Sequence, residues 1–437
     1  MRGEEVAKVV GGELIGEPAR IKGFHFDSRA ISPGELFVPV RGKRDGHDFI
    51  PDAFGKGAAG ALTEKELSPP PGKFLIKVGN TLEAFKKVAA YRRGLFTGTV
   101  VGITGSVGKS TTKELLHHLT FPYLPSYRNL KSYNNEIGLT YTLSNLPLTA
   151  RVYFQEVGTN SPGEVGELKS LLKPQVAVIT AVELAHAEGF GSYEKIVEEK
   201  FSLTEGVDVA VVPHHLKGHS KAREALTFGF KEGDARLEEV ELSPEGVSFT
   251  VNLFGKSHSF FTPVPGHSVV NATLIALLVG HLLGLPVSDF TELLPSFTPP
   301  EGRLKVEEFG NTCLIDDSYN ANPASVKNAL KVLSLHPLHR VAVLGDMLEL
   351  GPYSKEEHRK VGELLNSLGI ETLITFGKDS YETYRAFRGE KLHFTGKKEL
   401  LSFFKEFPLE GKAILVKGSR GNRLEEVCQI IRERLKR

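Results

Sequence analysis

The chain has 437 residues, enough for two to four domains at roughly 100–200 residues each. Its 54 basic and 53 acidic side chains leave a formal net charge of +1, which excludes the basic excess of a general nucleic-acid binder. Hydrophobic residues at 40%, 27 Phe among them, supply real cores and exclude a disordered chain.

The opening stretch, MRGEEVAKVVGGELIG, puts acids where a signal peptide has its basic and apolar regions. No window approaches about 18 consecutive apolar residues, so no membrane span is expected. The cytoplasm is the expected address. Residues 1–80 read as a small α/β domain. Strand-like ELFVPV and KFLIKV stand among Gly and Pro, with an Ala/Gly-rich helix candidate near residues 51–60. TLEAFKKVAAYRRGLF then spaces its apolar residues as an amphipathic helix.

Residues 81–298 form the second expected domain. TVVGIT, RVYFQEVG, QVAVIT and DVAVVP are short β-branched runs, separated by helix-like KSTTKELL, GEVGELKSLLK and SYEKIVEEKFSL. That rhythm predicts a doubly wound, mostly parallel sheet. Within 226–262 the runs LTFGF, GVSFTVNLF and SHSFFTPV alternate, which predicts antiparallel strands appended to it. NATLIALLVGHLLG is apolar almost all round and reads as a buried helix. The Pro-rich LLPSFTPPEGR marks a boundary near residue 298. In 299–437 the α/β rhythm restarts with TCLIDD, a helix after Pro323, RVAVLG, a helix from Ser354, ETLITFG, KAILVKG and an Arg-rich helix. This predicts a smaller Rossmann-like domain. Cys313 and Cys428 sit in apolar stretches, offer no disulfide framework or zinc spacing, and read as small core hydrophobes.

The strongest local signal is GITGSVGKSTTKE at 102–114. A buried strand enters the turn Thr104-Gly105-Ser106-Val107-Gly108, and Lys109, Ser110 and Thr111 open a helix. Backbone N–H groups in such a turn cradle phosphate oxygens at the helix's positive end. Lys109 would neutralise phosphate charge, and the Ser110 hydroxyl would serve Mg²⁺. Ile103 stands where the standard Walker A has its first Gly, so this is the shorter form. A Gly-rich turn that binds nothing is the plainer reading. Strand, turn, lysine and helix in order favour an ATP or GTP site.

Three further residues draw attention. Glu156 and His186 both follow strands, and carboxyl ends of parallel strands are where open α/β sheets bind ligands. A hard carboxylate and an imidazole suit a divalent ion on phosphates. Taken singly, Glu156 is as easily a solvated strand-end charge and His186 a surface-loop residue. Lys200, flanked by Glu198 and Glu199, reads by composition as part of a solvated helix face.

Taken together, these strings resemble the Mur ligases of peptidoglycan synthesis, in order and over nearly the whole chain. The match begins with DSRAISPGELFVPVRGKRDGHDFI at 27–50, like the family's uridine-substrate domain. TGSVGKST, YNNEIG at 133–138, EVGTN at 156–160 and HAEGFGS at 186–192 resemble its central domain. GHSVVNA at 266–272, EGR at 301–303, DDSYNANP at 316–323, GDMLELG at 345–351 and KGSRGNRLE at 417–425 complete the series.

The resemblance implies roles. Lys109 and Ser110 would serve ATP and Mg²⁺, with Glu156 on the metal and His186 on a second Mg²⁺. Lys200, eight residues after Ser192, falls on the family's carbamylated lysine, its carbamate derived from CO₂. Asn135 would lie near phosphates and substrate, Asn271 would contact adenine with His267 beside the ring, and Asp317 would hold ribose hydroxyls. Arg303 would approach the phosphates as the third domain closes. Ser28 and Arg29 would meet the uridine-diphosphate end of the substrate. There are departures: Ser268 stands where the family usually has Asn, and Phe-Ser-Leu follows Lys200 in place of Gly-Glu-Ile.

The implied activity is an ATP-dependent amide ligase that adds D-alanyl-D-alanine to UDP-N-acetylmuramoyl-tripeptide through an acyl phosphate, working as a monomer. Members that add a diamino acid carry an Asp-Asn-Pro-Arg motif, absent here, so a ligase of that type is kept only as the nearest enzyme alternative. Folylpolyglutamate synthases share the phosphate loop but lack the DDSYNANP and GDMLELG strings. The alternative from another class is a P-loop switch protein that hydrolyses nucleotide without ligation.

Overall fold

A computed structural model describes residues 1–183 and 187–436, so His186 lies outside the described residues. The chain divides into two compact units. One comprises Met1–Gly102, Leu124–Val157 and Gly166–Pro174; the other comprises Ile103–Tyr123, Gly158–Val165 and Gln175–Arg437.

In the first unit a sheet runs in the order Glu13–Gly16, Phe74–Lys77, Gly60–Thr63, Leu36–Phe37, Phe24–His25. Its first pair is antiparallel and the others are parallel. The helix candidate at 51–60 divides in two: Ile50–Gly55 is helical, and Gly60–Thr63 is a buried strand. Small residues serve packing there rather than helix propensity, since a Cβ at Gly60 would lie 2.6 Å from the Phe74 ring. The amphipathic run forms the helix Thr81–Leu95, whose N-terminus is capped by Asn80 Oδ1 accepting from Glu83 N–H at 2.9 Å. Its buried face of Ala84, Phe85 and Val88 joins Phe24, Leu36, Phe74 and Ile76 in one core.

The same unit pairs Ser126–Arg128 in parallel with Val152–Glu156. Asn145, which ends the helix Glu136–Ser144, acts as a substitute strand for Phe24 on the sheet edge. Its Oδ1 accepts from Phe24 N–H at 2.9 Å, and its Nδ2 donates to Phe24 O at 3.0 Å and Tyr141 O at 2.9 Å. An edge strand otherwise leaves such groups without a ladder partner.

The second unit contains strands in the order Lys256–Thr262, Gly246–Leu253, Ala235–Ser243, Glu224–Phe230, Val209–Pro213, Val176–Ile179. One expectation is corrected here. LTFGF alternates, yet Glu224–Phe230 pairs in parallel with Val209–Pro213 and, over its last residues, with Ala235–Ser243. Alternation reports which faces are buried, not strand direction. The antiparallel part is Ala235–Ser243, Gly246–Leu253 and Lys256–Thr262. The expected buried helix is His267–Leu282.

A further sheet of this unit runs Lys305–Phe309, Thr312–Asp317, Lys412–Lys417, His339–Gly345, Thr372–Phe376, Glu390–Phe394. Its first pair is antiparallel and the rest are parallel. Helices Pro323–Ser334 and Ser354–Ser367 contribute to the core on one face, where Cys313 is fully buried. Helices Lys397–Glu406 and Glu425–Leu435 contribute to the other, where Cys428 is fully buried. The Rossmann-like layering sends Asp316, Asp317, Gly345 and Lys417 to the carboxyl end, the ligand end of such sheets. Among the described residues no helix is long and apolar enough to cross a membrane.

Asn145→Ala is expected to lower unfolding stability by about 2 kcal/mol, because both Phe24 backbone groups lose their partner. Urea titration of the variant checks this; an unchanged midpoint would refute the bridging role.

Candidate functional site

The phosphate loop is built as its sequence requires. Thr104 ends its strand with its carbonyl accepting from Thr180 N–H at 2.9 Å, and Ser106 N–H donates to Ala181 O at 2.8 Å. Gly105 and Gly108 take φ of +150° and +84°, and Gly108 is the N-cap of the helix Lys109–Thr120. A Cβ at Gly105 would fall 2.0 Å from Thr180 Oγ1. That hydroxyl lies 2.5 Å from Val107 O and pins the loop from beneath. Lys109 Nζ folds back to Gly105 O at 2.8 Å. The first helical turn carries no acid, so its N–H groups and positive dipole end face the loop without an internal anion. This is a cradle for phosphate, and Ser110 and Thr111 stand in that first turn.

Lys200 overturns the composition-level reading. It lies in the helix Tyr193–Phe201 and is 1% exposed, so it is not part of a solvated face. Burial, and behind it the charge of Lys109, push its amine well below the usual lysine range, against opposing pulls from Glu199 and Glu164. Glu199 does not simply hold an ammonium. Its carboxylate accepts from Gly163 N–H and Val165 N–H at 2.8 Å each, stapling the loop that enters the helix Glu164–Leu172.

Arg303 stands between two left-handed residues, Gly302 at φ +68° and Leu304 at φ +51°. The turn thrusts its guanidinium at the phosphate loop, where Nη2 lies 3.4 Å from Ser110 Oγ. Leu304 is 6% exposed, and a buried leucine in that conformation needs an external restraint. Asp317 provides it: its Oδ1 accepts from Leu304 N–H at 3.1 Å, while Oδ2 accepts from Lys417 Nζ at 2.5 Å. Both partners of that pair are buried. Burial pushes the Asp317 carboxyl up and the Lys417 amine down, and each counters the shift of the other. Asp317, expected on ribose, thus already holds two protein donors. Lys417 was not singled out from sequence; its place ending KAILVK, beside the strand that ends in Asp317, is the signal that would have found it.

Asn271 is exposed on the largely buried helix His267–Leu282. His267 and Ser268, the departure from the family pattern, meet Asn328: His267 N–H donates to Asn328 Oδ1 at 3.0 Å, and Asn328 Nδ2 lies 3.4 Å from Ser268 Oγ. Burial pushes the His267 imidazole down toward its neutral form.

The remaining expected residues lie in the first unit. Glu156 ends the strand Val152–Glu156 and is 1% exposed, which removes the solvated strand-end reading. Its N–H donates to Asn129 Oδ1 at 2.8 Å. Asn135 is the N-cap of the helix Glu136–Ser144, its Oδ1 accepting from Gly138 N–H at 3.0 Å. Ser28 is buried, and its carbonyl accepts from Lys56 Nζ. Arg29 projects into solvent and forks onto Asp27 at 2.9 and 2.8 Å, drawing that carboxyl down to about 2. Close by in sequence, Phe26 packs edge-on against Tyr133 and Tyr141, and His25 joins them. Sequence reading passed over this half-buried aromatic group because its members are more than a hundred residues apart.

The donor set fits a nucleotide with Mg²⁺: backbone N–H groups, the Ser110 hydroxyl and the Lys109 side chain stand at the glycine cradle. Among the described residues a mixed group, Glu308, Cys313 and His336, has its ligand atoms within 4.8 Å of one another. His336 Nδ1 accepts from Leu338 N–H, which leaves the ring proton on Nε2, 3.7 Å from Glu308.

Residues 103–280 match the Mur ligase middle domain, and residues 302–420 match the Mur ligase glutamate ligase domain. The UDP-N-acetylmuramoyl-tripeptide–D-alanyl-D-alanine ligase of Bacillus subtilis is 32% identical over 98% of this chain and 97% of that relative. Among solved structures, MurF from Acinetobacter baumannii superposes with a TM-score of 0.87 at 25% identity, covering 99% of this chain and 98% of that one. MurF from Thermotoga maritima in complex with ADP gives 0.82 at 27% identity, covering 95% and 98%.

The lowered proton affinity of the Lys200 amine has a measurable consequence. Below the ordinary lysine value of 10.5, the unfolded chain takes up a proton that the folded protein refuses. Stability contributed by this group therefore falls as pH drops from 10.5 toward the depressed folded value. Lys200→Met should flatten that slope and raise stability at neutral pH. Urea titrations of both proteins across this range check it, and parallel pH profiles would refute it.

Proposed function

The chain belongs to the Mur ligase family, and from that premise we propose that it is the ATP-dependent ligase joining D-alanyl-D-alanine to UDP-N-acetylmuramoyl-tripeptide in peptidoglycan precursor synthesis. The full-length likeness to ligases of that name supports the substrates, and the ADP-bound neighbour supports the nucleotide. The observation that carries the reading is Arg303 at Ser110, a cation brought 193 residues along the chain to the mouth of a phosphate loop that already holds Lys109. Binding phosphate needs one such cation. A second one suits stabilising charge as a phosphoryl group moves.

The chemistry follows from making an amide near neutral pH. The terminal carboxylate of the tripeptide is a poor electrophile, so one of its oxygens attacks the γ-phosphorus of ATP. An O–P bond forms, the bond to the β-phosphate oxygen breaks, and ADP leaves. The loop N–H groups hold the β- and γ-oxygens, while Lys109 and Arg303 offset the charge of the transfer. The dipeptide amine, having lost its ammonium proton to solvent, then attacks the acyl carbon. The tetrahedral adduct loses its second amine proton and expels phosphate, leaving the new C–N bond.

Ser110, Glu156, His186 and Lys200 are assigned to two Mg²⁺ ions, which would supply neutralisation of phosphate charge. Lys200 fits this role as a carbamate. An ammonium carries no lone pair for a metal, whereas a neutral amine can add to CO₂ and release a proton, gaining two anionic oxygens. Its burial and the charge of Lys109 push it toward the required neutral form. Residues 1–80 are assigned to the nucleotide sugar, 81–298 to ATP and 299–437 to the dipeptide, in a cytoplasmic monomer.

ADP release should require both UDP-tripeptide and D-alanyl-D-alanine, with a product mass equal to their sum less water; nucleotide hydrolysis without either would indicate a switch protein instead. Lys109→Ala should abolish ligation with an unchanged melting curve. Lys200→Ala should cripple it, with partial rescue by a small added carboxylate; full activity in that variant would remove the carbamate.

A further inference from the structure

The helix His267–Leu282 begins without a cap of its own. Its N-cap is Gly266, which carries no side chain, and its first turn holds no acid, so its leading N–H groups need partners from elsewhere. Asn328 supplies one. It lies on the helix Pro323–Ser334, which shares a core, through Val326, Ala329 and Leu330, with Ile315 and Leu344 of the sheet that carries Asp317. From there its Oδ1 accepts from His267 N–H at 3.0 Å, and its Nδ2 lies 3.4 Å from Ser268 Oγ.

The backbone is shaped for this contact. Gly266 takes φ of +86°, and a Cβ there would fall 3.0 Å from Asn328 Nδ2 and 3.1 Å from Val332 Cγ2. Glycine therefore lets the two helices meet without displacing either side chain. Lys331 stands on the same stretch: burial, and behind it the charge of Lys331, push the His267 imidazole down. Asn271 belongs to the turn so held. Cβ atoms in a helix tilt toward its N-terminus and residues four apart share a face, so Asn271 stacks over His267. The sheet that carries Asp317 thus reaches the other part of the site twice, with Arg303 at Ser110 and with Asn328 at His267.

We propose that Asn328 is a positioning residue for the adenine end of ATP. It fixes the first turn of His267–Leu282, and with it Asn271, whenever the sheet that presents Arg303 is docked. The inference rests on the nucleotide reading above, with Asn271 on adenine. Part of the affinity for the base then comes from an amide on another helix and is lost when the docking is lost. One sheet governs both ends of the nucleotide, the phosphates directly through Arg303 and the base indirectly through Asn328.

The test measures the KM for ATP and, with a base-free competitor, the inhibition constant of inorganic tripolyphosphate, in the parent enzyme and in Asn328→Ala, Asn328→Asp and Asn271→Ala. Loss of a helix cap is worth roughly 2–30-fold in an equilibrium constant, and Asn328→Ala should raise the KM for ATP by about that factor. Its kcat at saturating ATP should hold, because the contact is the same before and during the transfer, and tripolyphosphate should inhibit as in the parent. Asn328→Asp keeps the acceptor and adds an anion at the helix's positive end, so it should restore most of the ATP affinity. Asn271→Ala should reproduce the base-dependent loss. A merely structural role for Asn328 would weaken ATP and tripolyphosphate together. That result, an unchanged KM in Asn328→Ala, or no recovery in Asn328→Asp, obtained while Asn271→Ala shows its loss, overturns the proposal alone. An Asn271→Ala enzyme with the parent's KM removes the adenine assignment and the proposal with it, so the two failures are told apart.

Discussion

The ion pair of Asp317 and Lys417 lies where two sets of loops converge, and both depend on it. Toward the phosphate loop, Asp317 holds Leu304 N–H and with it the left-handed turn that projects Arg303. Toward the opposite end, Lys417 holds Asn320 O and with it the loop that follows Asp317. Taking two charges out of water costs about as much as their attraction returns, so such a pair is weak evidence for stability. Its value here is geometric. It ties, in one contact, the turn that carries Arg303 to the loop that follows Asp317.

The phosphate loop shows the same economy in backbone. Thr180 occupies the space that any side chain at Gly105 would need, so the loop can close only over a bare glycine. Around it, Lys109, Arg303 and the helix end all present positive charge to the same small volume. Lys200 sits within reach of that field, which disfavours an ammonium there. A region so charged is suited to an anionic ligand, and burial together with the charge of Lys109 pushes the Lys200 amine toward its uncharged form.

Much of this was legible in the sequence, for identifiable reasons. The parallel strands announce themselves as β-branched runs because both their faces are covered, and the phosphate loop because glycine, lysine and a helix start must follow one another along the chain. Where structure depends on distant partners, the pattern fails. Ala235–Ser243 went unread as a strand because its register shifts between Leu237 and Glu239, which breaks the alternation. Lys200 looked solvated because two glutamates flank it, whereas one of them is turned onto backbone N–H groups of another segment. His267 and Asn328 are 61 residues apart, and nothing local marks them as neighbours. Only the family likeness pointed beyond such local signals, as it did for Arg303.

The two thiols of the chain carry a consequence of their own. Cys313 and Cys428 are fully buried, on opposite faces of one sheet, so neither meets solvent while the sheet keeps both its helix layers. A membrane-impermeant or aqueous alkylating agent therefore reads breathing rather than surface chemistry. Cys313 reports the detachment of one layer and Cys428 of the other, and their relative rates would rank the two faces by local stability without a mutation or an added probe.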